Sequence, residues 1–136
     1  MKRRVRALII VGDRILLIHR IKNGSEYWVF PGGGLQGDES DQMGLQREAL
    51  EELGVQVQVD SLFTSLSHSI GAEKQSELFY HCKIVSGTLG TGQGPEFQPG
   101  TTYEGMYVLE WVSLVNLHTK NLLPTEVRDL LIKEYQ

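Results

Sequence analysis

Glu48, Glu51 and Glu52 place three carboxylates within a few residues of one another. Such a group repels itself unless positive charge sits among it. Hard divalent cations take oxygen ligands, so Mg²⁺, or Mn²⁺ in its place, is the natural companion of these side chains. A metal held this way points towards phosphate chemistry. The three glutamates end a longer ordered stretch. Gly33 is followed by five residues and Glu39, then by seven residues and Arg47-Glu48-Ala49-Leu50-Glu51-Glu52-Leu53-Gly54-Val55.

A helix is the element that would gather them. The sequence predicts one over about Ser40 to Leu53, with Asp38 or Ser40 as its cap and Gly54 as its stop. At 100° per residue, Glu48, Glu51 and Glu52 fall within an arc of about 100°. Leu45, Ala49, Leu50 and Leu53 cluster on the far side as an apolar face for the core. Arg47 lies four residues before Glu51, within ion-pair reach along the helix. Glu39 precedes the helix near its positive N-terminal end. The plain alternative is a solvated acidic face. It gives no reason for the glycines ahead of Glu39 or for Gly54 at the close.

The surrounding elements follow from apolar patterning. Val5 to Val11, Arg14 to Ile21 and Glu26 to Phe30 read as three strands separated by the turn signals Gly12-Asp13 and Lys22-Asn23-Gly24-Ser25. Pro31-Gly32-Gly33-Gly34 should break regular structure and let a ligand approach the chain. Val55 to Val59 and Ser61 to Ser69 look extended, and Glu77 to Val85 reads as a central strand. Gly87 to Gly105 holds six glycines and two prolines and reads as a long loop, a kind of segment that is usually functional or disordered. Met106 to Val112 is a last strand, Ser113 to Leu117 a short helical turn, and Pro124 opens a C-terminal helix. Strict strand-helix alternation is missing, which excludes a doubly wound dinucleotide fold. An α/β (α+β) arrangement, a central mixed sheet with helices on its faces, is expected.

Length and composition set outer bounds. A chain of 136 residues is expected to be a single domain able to bury a core without staples. The net charge of -4 argues against a nucleic-acid groove binder, which carries a basic face. The basic start, Lys2, Arg3, Arg4 and Arg6, is read as a solvated strand edge. One cysteine, Cys82, excludes an internal disulfide and fits a reducing compartment. Ala7 to Val11 is too short an apolar run for a signal segment or a membrane span. The expected location is cytoplasmic, with no membrane partner.

At Gly33 to Val55 the chain resembles the Nudix hydrolase (MutT-like) family. That signature is Gly, five residues, Glu, seven residues, Arg-Glu, an aliphatic residue, any residue, Glu-Glu, any residue, Gly and an aliphatic residue. Every specified position is met, with Ala49 and Val55 in the aliphatic places. Seven fixed residues at roughly 6% usage each match by chance with odds on the order of 10⁻⁷ over such a chain. Trp28-Val29-Phe30-Pro31-Gly32 resembles the family's approach to its box. Gln36 and Asp38 stand where many relatives carry an acid and a glycine. Neither belongs to the strict signature.

The resemblance implies an α/β/α sandwich around a mixed sheet, and Mg²⁺-dependent hydrolysis of a nucleoside diphosphate linked to another group. Glu48 and Glu52 would be the principal metal ligands, with Glu51 contributing and the Gly32 carbonyl completing part of the shell. Glu39 and Arg47 would orient these ligands. A water must still be deprotonated, by a box glutamate or by a loop acid, with Glu96 the first candidate and Glu104 the second. Arg20 could meet substrate phosphates, and Trp28 and Phe30 could face a base. Nucleoside triphosphates, ADP-ribose or other sugar nucleotides, and dinucleoside polyphosphates are the substrate classes implied. Members of the family often form homodimers, although this sequence carries no dimer signature. A non-catalytic module that senses a nucleotide is the alternative; the complete acidic set favours the hydrolase.

Overall fold

The computed structural model describes residues 2–92 and 106–135. The candidate bases Glu96 and Glu104 lie outside the described residues. The chain runs β1 (Lys2–Val11), β2 (Arg14–Lys22), β3 (Ser25–Val29), β4 (Gly32–Gly34), α1 (Asp41–Leu53), β5 (Val55–Ile70), β6 (Glu73–Gly87), β7 (Met106–Ser113), a 3-10 turn (Leu114–Thr119), β8 (Leu122–Leu123) and α2 (Thr125–Glu134).

The strands form a mixed sheet in the order β5-β6-β1-β2-β3-β8, with β4 also paired to β1 and β7 to β2. β1 runs parallel to β6 and antiparallel to β2 and β4. Because β1 is covered on both faces, its run Val5 to Ile9 is apolar almost throughout, as a strand buried on both sides must be. Successive side chains point to opposite faces. Val5, Ala7 and Ile9 therefore meet Leu16, Val57, Cys82 and the α1 residues Leu45, Ala49 and Leu53 on one face. Leu8 joins Ile15, Leu17, Phe30, Phe79 and the α2 residues Val127 and Leu131 on the other. The sheet is thus sandwiched between α1 and α2, the α/β/α architecture expected.

Helix α1 has the termini that its sequence implies. Ser40 Oγ accepts the Met43 amide at 3.2 Å as N-cap. Gly54 takes the left-handed conformation, φ +79°, and its N–H closes on Ala49 and Leu50. The core stripe is narrower than expected. Leu45, Ala49 and Leu53 are buried at i, i+4 and i+8, whereas Leu50, at the flank of that stripe, is 53% exposed.

Three further expectations are corrected. Gly32 to Gly34 does not interrupt regular structure; it forms β4 on β1, with Gly32 opposite Arg6 and Gly33 opposite Val5. Gly32 has φ +139°, and a Cβ there would collide with the Val5 carbonyl, so only glycine permits this pairing. The segments around Asp60 form one long strand, β5, that keeps pairing with β6 through register shifts between Val59 and Thr64. The basic start is not a sheet edge, since β1 pairs with β4 and β6, although Lys2 and Arg3 remain exposed. Arg3 forks onto Asp41 at 2.7 and 2.9 Å, and the Tyr80 hydroxyl donates to the same carboxylate at 2.5 Å. These bonds tie the first turn of α1 to β1 and β6.

Candidate active site

The acidic face of α1 turns towards β4 and the start of β7. Arg47 is its hub. Its Nε donates to Glu39 Oε2 at 2.7 Å, and its Nη2 donates to Glu39 Oε1 at 3.1 Å and to the Gly34 carbonyl at 2.9 Å. Its Nη1 donates to Glu48 Oε1 at 3.1 Å and to Glu51 Oε2 at 3.3 Å. One planar guanidinium thus fastens the loop before the helix, strand β4 and two helix carboxylates, which is work a lysine cannot do. Hydrogen bonding to Arg47 holds the Glu39 carboxyl below its ordinary range. The same pairing raises the pKa of Arg47, against burial.

Glu48 lies against β4, and a Cβ at Gly33 would sit 2.6 Å from its Oε1. A side chain at position 33 would therefore have to push that carboxylate aside. Burial raises the proton affinity of Glu48, an effect opposed by Arg47.

Glu52 is held differently. The Gly32 amide donates to its Oε1 at 2.7 Å, and the Tyr107 hydroxyl donates to its Oε2 at 2.7 Å. Both donors are neutral. Burial, with Glu48 nearby, pushes its pKa up to about 8, even though Tyr107, Gly32 and Arg6 pull the other way. Glu51 is the most open of the three, with 41% of its side chain exposed.

Behind this face, Arg6 donates from Nε to Glu77 Oε2 at 2.8 Å and from Nη1 to the carbonyls of Phe30 at 3.2 Å and Gly32 at 3.1 Å. Four carboxylates (Glu39, Glu48, Glu51 and Glu77) therefore share two guanidinium groups, and Glu52 bonds to neither. The donor set facing α1 is carboxylate and carbonyl oxygen, the chemistry that suits a hard divalent cation. Among the described residues no three His, Cys, Asp or Glu side chains stand in a ready-made metal cage. Arg47 draws Glu48 and Glu51 to one side while Gly32 and Tyr107 hold Glu52.

The residues proposed from sequence for the organic part of a substrate lie elsewhere. Phe30 is 1% exposed and packs edge-on against Phe79 at 5.4 Å. Trp28 is 7% exposed; His19 stacks on it at 4.2 Å, and Lys120 Nζ lies 4.8 Å from its ring centroid. Both rings belong to the core on the α2 side, which corrects the expectation that they face a base. Arg20 is 9% exposed, with its guanidinium 5.2 Å from the Tyr107 ring and 6.0 Å from the Tyr27 ring. It stacks on the tyrosine that holds Glu52. Strand register explains this, because Arg20 stands directly opposite Tyr107 in the β2-β7 pair.

Tyr107 also lines a cleft of about 410 Å³ with Leu89, Leu109 and Trp111. Sequence patterning singles out none of Arg6, Glu77 and Tyr107 as part of the site. A charge inside the apolar run Val5 to Val11 was the available signal for Arg6. Nothing local marked its partner 71 residues away.

Comparison with known proteins agrees with this geometry. The NUDIX domain family model matches residues 1–129. A MutT-like protein of Streptomyces ambofaciens is 47% identical over 49 residues, 36% of this chain and 30% of that protein. The 8-oxo-dGTP diphosphatase of Escherichia coli strain K12 is 32% identical over 95 residues, 70% of this chain and 64% of that protein. The chain thus matches less than two thirds of the length of either relative. The solution structure of the E. coli ORF135 protein superposes with a TM-score of 0.73 at 26% identity, covering 96% of this chain and 86% of that one. With the family model spanning nearly the whole sequence, the chain belongs to the NUDIX domain family.

Proposed function

We propose that this protein is a divalent-metal-dependent hydrolase of the pyrophosphate bond in a nucleoside diphosphate linked to another group, with nucleoside triphosphates as its first substrate class. The observation that carries this reading is Glu52, fixed by Gly32 N–H and the Tyr107 hydroxyl on the same helix face as Glu48 and Glu51. Similarity to an 8-oxo-dGTP diphosphatase supports the choice of a triphosphate over other nucleotides.

Glu48, Glu52 and Glu51 would hold Mg²⁺ or Mn²⁺, joined by the Gly32 carbonyl, whose remaining lone pair is not taken by Arg6. Bound there, the cation would neutralise phosphate oxygens and acidify a water. The chain's own residues do the rest. Arg47 keeps Glu48 and Glu51 turned towards one side and locks the Glu39 loop to β4. Gly33 presents bare backbone beside Glu48, so a diphosphate can approach that carboxylate closely. Proton removal from the attacking water falls to a glutamate of this face, or to Glu96 or Glu104. The cleft beside Tyr107 has the size and the aromatic wall, Trp111, that suit a nucleoside.

A phosphate-release screen over nucleoside triphosphates, sugar nucleotides and dinucleoside polyphosphates, with Mg²⁺ and with Mn²⁺, tests the proposal. Turnover of a triphosphate that stops on chelation is the expected result. Tight nucleotide binding without turnover of any class would replace it with a sensing module.

A further inference from the structure

Phe30, Pro31 and Gly32 form a short strap that leads from β3 into the first residue of β4, and all three of its carbonyls are anchored to β1. The Ala7 amide donates to the Pro31 carbonyl at 2.8 Å. Arg6 Nη1 donates to the carbonyls on either side, Phe30 at 3.2 Å and Gly32 at 3.1 Å. Pro31 has no N–H, so the strap's next donor is Gly32 N–H, and it points at Glu52 Oε1 at 2.7 Å. Arg6 is itself oriented by Glu77, 2.8 Å from its Nε, with the two side chains only 18% and 11% exposed. The chain of contacts therefore runs from β6 through β1 and the strap to α1, and from Glu52 on to β7 through Tyr107.

We propose that Arg6, oriented by Glu77, is a positioning residue of the candidate active site: by gripping the carbonyls of Phe30 and Gly32 it aims the Gly32 N–H and carbonyl at the place where Glu52 would hold the cation. This rests on the reading of Glu52 as a metal ligand. A planar fork can satisfy Glu77 and both carbonyls at once, whereas a lysine ammonium keeps the charge and loses that geometry. Charge alone is therefore separable from positioning.

The test compares wild type, Arg6→Lys, Glu77→Gln and Glu52→Gln. Mn²⁺ affinity is read by EPR on the protein without nucleotide, kcat and KM are read on the best triphosphate, and folding is read by circular dichroism and Tm. Arg6→Lys is expected to weaken Mn²⁺ binding and lower kcat, each about 10-fold, with KM nearly unchanged. Glu77→Gln should show the same pattern more weakly, and it carries the test if Arg6→Lys does not fold. Variants that lose Tm but keep wild-type Mn²⁺ affinity and kcat would reduce Arg6 to a structural brace and overturn the proposal. If wild type binds no Mn²⁺, or Glu52→Gln binds it equally well, the metal reading fails and the positioning role falls with it. If only the Arg6 and Glu77 variants match wild type, the metal reading stands and the positioning role alone is wrong.

Discussion

Tyr107 and Glu52 lie 55 residues apart in the chain and meet at 2.7 Å, hydroxyl to carboxylate. This bond fixes one oxygen of the most enclosed glutamate on α1, and Gly32 N–H fixes the other. Tyr107→Phe keeps the ring, its packing and its stack with Arg20, and removes one donor. Turnover at saturating substrate should fall about 10-fold with little change in KM, as expected when a group that orients a ligand is lost. A variant with wild-type kcat would show that Glu52 needs no help from β7.

Glu52→Gln separates chemistry from folding. The amide oxygen can accept from Gly32 N–H while its NH₂ donates to Tyr107 Oη, so the local bonds survive. A neutral group replaces a charge whose proton affinity burial has raised. Tm should stay level or rise, while metal-dependent turnover falls by orders of magnitude. Turnover like that of wild type would remove Glu52 from the metal site.

Arg47→Lys keeps a positive charge beside Glu48 and Glu51 and loses the fork that also reaches Glu39 and Gly34. Steady-state kinetics should show kcat/KM down by at least about 10-fold, the usual scale for residues that orient ligands. An unchanged kcat/KM would mean that charge alone, and not the fork, is what the site needs.

The nucleoside cleft makes its own prediction. Trp111→Leu preserves an apolar wall and removes the stacking face. KM for the triphosphate should rise several-fold with kcat nearly constant, the pattern of lost uniform binding. An unchanged KM would move the base to another part of the surface.

Cys82 is 4% exposed, and burial pushes its thiol up to about 12 from an ordinary value of 9.0. The native thiol should resist alkylation at neutral pH and react only when denaturant is added, as followed by mass spectrometry. The sign of its linkage is definite. The native thiol stays protonated where the unfolded one ionises, so its contribution to stability is constant below about pH 9 and declines as pH rises towards 12. Rapid alkylation of folded protein would contradict this burial.

The amino-acid order by itself determined helix α1, its glycine stop, the continuous apolar runs of β1 and β2, and the spacing that puts Arg47, Glu48, Glu51 and Glu52 on one face. These depend on residues a few positions apart, where backbone periodicity dictates which side chains are neighbours. Only the tertiary structure decided that Gly32 to Gly34 pairs as a strand, that Trp28 and Phe30 turn into the core, that Arg20 stacks on Tyr107, and that Arg6 with Glu77 stands behind the strap at Gly32. Each of these rests on strand register between distant segments, where a shift of one residue sends every side chain to the opposite face. Local sequence carries no record of that register, so the glutamates were legible and the groups that aim Glu52 were not.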